Sequence, residues 1–242
     1  MHAAPSRELP PRPELIPGPA EGETEPVTSE TETARSGRPL GFDRAEALTR
    51  LMKLFWQTGF DRVTQQQMAA ASGLSTSSLY NTFGTKVEIY RAAMDDYLRR
   101  MAAVLDPLVD GVRGHEDVLE TLARLKTVLD SDQGRFGCMA TTAMTAPVDE
   151  HVVAATRRYR EQLREGFLAV AERARGLGEA APDPSMAANV LTAAVLGTLT
   201  IARAAPESPE LTAELDSLRD FALSWRRSRN GVRPSSRGSR RA

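Results

Sequence analysis

Along residues 43–226 the apolar positions recur at intervals of three and four, the spacing that gathers them on one face of an α-helix. Leu48, Leu51, Met52 and Phe55 form the first stripe. Asp43 and Glu46 ahead of it predict an acidic variant of the capping box, in which each side chain satisfies an otherwise unpaired backbone N–H, and Gly59 suits the stop. The same start signal recurs at Thr64–Gln67 and at Thr85–Glu88, so three capped helices are expected in quick succession.

Farther along, a helix is expected over about 115–131, with Pro107 and Gly114 marking the turn region before it, and a shorter one over 136–145. Pro147, Asp149 and Glu150 open a long helix whose stripe is Val152, Thr156, Tyr159, Leu163, Phe167, Val170 and Ala174; Gly176 and Gly178 end it. Asp183-Pro184 starts an apolar helix that stops before Pro206. Ser208-Pro209 starts the last helix, with Leu211, Leu215, Leu218, Ala222 and Trp225 on one face. No segment alternates with period two between turn residues, so the expected fold class is all-α, with about nine helices.

The flanks differ in composition. Residues 1–37 are rich in Pro, Glu, Thr and Ser, and residues 227–242 are basic; both lack the apolar residues needed to offset ordering entropy, and both are expected to be disordered. Residues 38–101 and 102–226 then read as two helical domains. The start of the chain carries no secretory signal pattern. Ala187 to Ala202 is nearly uncharged but shorter than the roughly 20 residues that cross a bilayer, and reads as a buried helix. Formal net charge is −1, so overall charge gives no reason to invoke nucleic acid. Cys138 is the only cysteine, which excludes an internal disulfide framework and a thiolate zinc site and suits a reducing cytosol; a cytoplasmic location is expected.

Residues 64–83 carry the candidate chemistry. A helix-turn-helix packs two short helices across a tight turn and frees the second for the major groove. It needs a small residue where the helices touch (Ala69), a glycine where φ is positive (Gly73), and an apolar residue on the inner face of the second helix (Leu79); Met68 and Leu74 supply apolar neighbours. The second helix, Ser75 to Phe83, is otherwise polar and uncharged, and its hydroxyl and amide groups suit phosphates and base edges. An ordinary αα-hairpin with a polar solvent face fits the same spacing. The basic segment ahead of the first helix, Arg35 to Pro39, suits a flexible arm, and Arg38 is expected to enter an A·T-rich minor groove; a plain linker is the alternative.

Residues 38–101 resemble the N-terminal domain of the TetR family of transcriptional regulators. The matching positions are Gly37-Arg38-Pro39, Phe42-Asp43, Leu54-Phe55-Trp56, Gly59-Phe60, Val63-Thr64, Ala69, Gly73-Leu74-Ser75, Ser78-Leu79-Tyr80, Phe83-Gly84, Lys86 and Tyr97. The resemblance implies a DNA-binding regulator, with phosphate contacts at Thr64 and Lys86 and recognition-helix contacts at Thr76, Ser77, Ser78, Tyr80, Asn81 and Thr82. Many relatives have Gly where Ser77 stands and His where Thr82 stands. The resemblance also implies a small-molecule effector held by the later helices, a homodimer made by the last two (about 185–204 and 209–226), and most commonly repression. The all-round apolar character of the 185–204 helix independently calls for cover on more than one side.

For an effector pocket, Phe136, Met139, Met144, Tyr159 and Phe167 are candidate linings, though such residues also suit plain core. Cys138 reads as a buried thiol rather than a sensor, and His151 with Cys138 lacks further ligands for a metal. No Walker loop, GxGxxG, HExxH or GxSxG is present, so neither an enzyme nor a cofactor is expected. The competing non-enzymatic reading is a helical protein–protein adaptor without operator binding.

Overall fold

The computed structural model describes residues 42–226, which are helical throughout apart from turns. In order the helices are α1 (Arg44–Thr58), α2 (Gln65–Ser72), α3 (Thr76–Phe83), α4 (Lys86–Asp110), α5 (His115–Leu129), a 3-10 turn (Gly134–Phe136), α6 (Met139–Thr145), α7 (Glu150–Gly176), α8 (Pro184–Ala204) and α9 (Pro209–Leu223). The chain divides into two compact units between Arg100 and Met101.

The first unit is built on α1, whose Ala47, Leu51, Met52, Phe55 and Trp56 are buried. Each large apolar side chain removed from water in this way contributes about 1.5–3 kcal/mol. Phe55 meets Tyr90, and Trp56 meets Tyr97, edge to face at 5.1 Å, which fastens α1 to the first half of α4. Asp43 caps α1 by accepting from the N–H groups of Ala45 and Glu46. The expected reciprocal box is not the arrangement adopted: the Glu46 carboxylate pairs with Arg50 at 3.1 Å, one turn along its own helix. The other two boxes form as read. Thr64 and Gln67 satisfy each other's backbone N–H, and Thr85 and Glu88 do the same.

In the second unit α7 and α8 pack most extensively, α5 lies on α9, and α6 packs on α7 and α8. All seven stripe residues of α7 are buried. Pro107, expected in a turn, stands inside α4, which continues to Asp110. A proline there leaves the carbonyl four residues back without its donor. Arg124 of α5 supplies the replacement, donating to the Ala103 carbonyl at 2.9 Å. The helix expected over 136–145 begins later, at Met139, because Gly137 takes φ +63° and separates it from the 3-10 turn.

A buried ionic group ties α5 to α7. Asp117, with no exposed surface, accepts from the Arg113 backbone N–H (2.7 Å), Arg113 Nε (3.1 Å) and Arg173 Nη1 (2.9 Å). At the start of α5, Gly114 offers no side-chain cap, and Glu179 instead accepts from the His115 backbone N–H at 2.9 Å while its other oxygen meets His115 Nδ1 at 2.8 Å.

With 21 residues, α8 is longer than its uncharged run and is, by length and composition, apolar enough to cross a membrane. Its Ala187, Ala188, Leu191, Thr192, Val195, Thr198, Leu199 and Ala202 are buried within the unit. Its opposite face carries Met186, Val190, Ala193 and Gly197, all exposed.

Candidate nucleic-acid interface

Two short helices and one tight turn position the candidate contacts. Thr64 closes the start of α2, and α2 ends at Gly73, which takes the left-handed φ of +72° that its position in the turn requires. Ser72 consolidates the turn: its hydroxyl donates to the Ala69 carbonyl and accepts from the Leu74 N–H. Ser72 is buried and was not singled out from the sequence, where a serine near a turn looks like any solvated residue.

In α3 only Leu79 and Phe83 are buried, which fixes the inner face. With about 100° per residue, Ser77, Ser78 and Asn81 form the outward arc, and Tyr80 and Thr82 lie on opposite flanks. Burial follows that geometry: Thr76, Ser77, Ser78 and Asn81 are exposed, whereas Tyr80 and Thr82 are half-buried. Ser75 caps the helix through the Ser78 N–H, and its hydroxyl also bonds the side chains of Ser77 (3.2 Å) and Ser78 (2.9 Å). Two of the expected contact hydroxyls therefore already belong to the cap.

Tyr80 turns toward an open cleft of about 510 Å³, lined also by Gln65, Gly84, Thr85, Lys86 and Glu88. Gln65 is the first residue of α2 and Lys86 the first of α4, so two helix N-termini meet at this cleft. Unpaired N–H groups and the positive ends of two helix dipoles favour an anion there, and Lys86 adds an ammonium. Glu88, the acidic group of the lining, is engaged. It accepts from both the backbone N–H and the hydroxyl of Thr85, at 2.7 and 2.8 Å. Those bonds hold its carboxyl below the usual range, the backbone bond foremost. Gly84 takes φ +83°, and a Cβ there would stand 2.4 Å from Glu88 Oε2, so the passage from α3 to α4 depends on glycine.

Gln65 and Thr85 line the cleft without having been singled out as contacts; their places at helix starts were the available signal. Phe60 belongs to the Gly59-Phe60 motif and carries no contact role in the sequence reading. Its ring lies beneath Lys86, with Nζ 4.5 Å from the centroid. Arg38, expected in a minor groove, lies outside the described residues, as do 1–37 and 227–242.

The effector-pocket candidates are mostly packed core. Phe167 has no exposed surface, Met139 is 2% and Tyr159 5% exposed, and Phe136 and Met144 are half-buried. Burial, then the proximity of Cys138, pushes the Tyr159 phenol well above its usual range. Cys138 itself is 1% exposed. Among the described residues no group of three or more His, Cys, Asp or Glu side chains is placed to hold a metal.

The helix-turn-helix and the cleft fall within residues 48–93, which match the family model described as bacterial regulatory proteins, tetR family. The transcriptional repressor ComR of Escherichia coli K12 is 32% identical over 135 residues, 54% of this chain and 64% of ComR, so the match spans slightly less than two thirds of that protein. The regulator YezE of Bacillus subtilis 168 is 26% identical over 190 residues, 76% of this chain and 94% of YezE. Among solved structures, a cysteine mutant of the TetR family transcriptional regulator CifR, complexed with 26-bp operator DNA, superposes with a TM-score of 0.64 at 26% identity, covering 78% of this chain and all of that one. The all-helical order, the capped helix-turn-helix and these matches agree: residues 48–93 form a tetR-type helix-turn-helix domain, and the chain is similar to TetR family transcriptional regulators.

Proposed function

We propose that this protein is a homodimeric, ligand-responsive repressor that binds a two-fold-related DNA operator through α2 and α3. The observation that carries the DNA-binding reading is the juxtaposition of α3's polar outward arc with a cleft where two helix N-termini and Lys86 converge. Thr64, Tyr80 and Lys86 take phosphate oxygens, which fixes register on the duplex. Thr76, Ser77, Ser78, Asn81 and Thr82 face base edges and nearby phosphates. Because Ser77 and Ser78 share hydrogen bonds with Ser75, their hydroxyl orientations are set before DNA arrives. The bound complex of CifR with operator DNA supports the same use of the fold.

The exposed face of α8 supports a second copy as partner. Met186 and Val190 are 52% and 47% exposed, and Ala193 and Gly197 continue the face one and two turns on. Small residues at that spacing allow close helix approach, and a two-fold axis would place each face against its own copy. A symmetric dimer offers two recognition helices to two half-sites. The second unit holds the effector, with Phe136, Met139, Met144, Tyr159 and Phe167 as its candidate surroundings once their packing opens, and the name of ComR as a repressor favours repression. The protein acts in the cytoplasm, without enzymatic activity.

The test is fluorescence anisotropy of the full chain on genomic duplexes across a salt series, with sedimentation of the same samples. Salt-sensitive, sequence-preferring binding by two copies is expected. A folded chain that binds no duplex at low salt would overturn the reading.

A further inference from the structure

We propose that Phe60 is a positioning residue for DNA binding: its ring holds the Lys86 ammonium at the mouth of the cleft between the starts of α2 and α4. This rests on the DNA-binding reading above and assigns Phe60 a role that acts through Lys86.

Three observations place the ring. Lys86 Nζ lies 4.5 Å from the Phe60 centroid, within the range in which a cation is drawn to an aromatic face. Phe60 is itself fixed from behind, stacked on Phe55 at 6.3 Å with an interplanar angle of 18° and met by Tyr90 at 5.1 Å and 61°. Those supports are anchored in turn, since Phe55 and Tyr90 meet at 5.1 Å and are 1% and 4% exposed. The platform under the lysine is thus an extension of the core of the first unit, while Phe60 itself is only half-buried.

The choice of an aromatic partner has a chemical consequence. A lysine carries a flexible four-carbon stem, and ordering it on DNA costs side-chain entropy. A carboxylate could hold the ammonium in advance, but would neutralise it and occupy its donors. A ring face restrains the charge without accepting a conventional hydrogen bond, so the N–H donors stay available for phosphate oxygens. Glu88, which shares the cleft, gives its Oε2 to the N–H and hydroxyl of Thr85, and the aromatic contact to the ammonium is made by Phe60. The lysine is therefore pre-positioned with its charge intact, which lowers the cost of binding.

The coupling between Phe60 and Lys86 is the decisive readout, because a purely structural role for Phe60 would not produce it. Wild type, Phe60→Leu, Phe60→Trp, Lys86→Ala and the Phe60→Leu/Lys86→Ala double variant are titrated with a mixed-sequence duplex, with thermal melts of each. Phe60→Leu is expected to weaken binding about three-fold per subunit, Phe60→Trp to stay near wild type, and the double variant to bind no worse than Lys86→Ala alone. Independent, multiplying losses in folded variants, or no rescue by Trp, would overturn the role while leaving DNA binding standing; absence of duplex binding by the wild type would overturn both. Should Phe60→Leu fail to fold, NMR of the wild type decides. The Lys86 ε-methylene protons are expected upfield of ordinary lysine values through the ring current, and unshifted protons would overturn the proposal.

Discussion

Replacing Asp117 by Asn is expected to destabilise the protein by about 3 kcal/mol, a large fraction of the margin of a typical domain. The carboxylate is fully buried and accepts three hydrogen bonds, two from Arg113 and one from Arg173. An amide has one accepting oxygen, and its NH2 would confront donors. Removing one partner of a buried ion pair costs about 3–5 kcal/mol, because the remaining charge is left desolvated. The lower end applies here. The Arg113 side chain is 42% exposed and keeps Glu120, and Arg173 is 21% exposed, so both recover part of their hydration. Urea unfolding followed by circular dichroism gives the loss as a shift in midpoint at constant slope. Arg173→Met should cost much less in the Asp117→Asn background than alone. A loss below about 1 kcal/mol, or equal costs of Arg173→Met in the two backgrounds, would show that Asp117 is not the anchor of this ionic group.

Other outcomes follow from the same geometry. Lys86→Ala should reduce the slope of log affinity against log salt by about 0.9 per subunit and weaken all sequences alike; a loss confined to operator preference would contradict a phosphate contact. Val190→Glu should yield folded monomers by sedimentation, since its side chain is exposed in one subunit and would be stranded in the proposed seam; an intact dimer would place the interface elsewhere. Burial raises the Tyr159 phenol above its unfolded value of about 10, so the unfolded chain releases that proton first. Stability from this group is complete below about pH 10 and falls as pH rises from there toward the folded-state value; Tyr159→Phe should flatten that decline in urea midpoints, and parallel profiles would show that another group is responsible.

Local chemistry was legible in the sequence wherever it was decided locally. The boxes at Thr64–Gln67 and Thr85–Glu88, the glycine at Gly73 and the α7 stripe each depend on residues a few positions apart, and the helices form there. Glu46 shows the limit, because a carboxylate near a helix start can turn back to the cap or forward to Arg50, and spacing alone does not choose. Long-range pairings were hidden. Pro107 reads as a helix end unless Arg124, remote in sequence, is known to take the Ala103 carbonyl. Phe60 and Lys86 are likewise brought together by the packing of Phe55 and Tyr90. The effector candidates illustrate a third case: Met139, Tyr159 and Phe167 were read as apolar, and burial alone does not separate core from the wall of a pocket.

Operator binding by a two-fold dimer can be measured by selection of genomic fragments with the purified chain, followed by footprinting of the enriched sites. Protection is expected over two half-sites related by a two-fold axis and centred one helical turn or a multiple of it apart, occupied by two copies of the chain and lost progressively as salt rises. Enrichment of no common sequence, or stable occupancy of an asymmetric site by a single copy, would contradict that expectation.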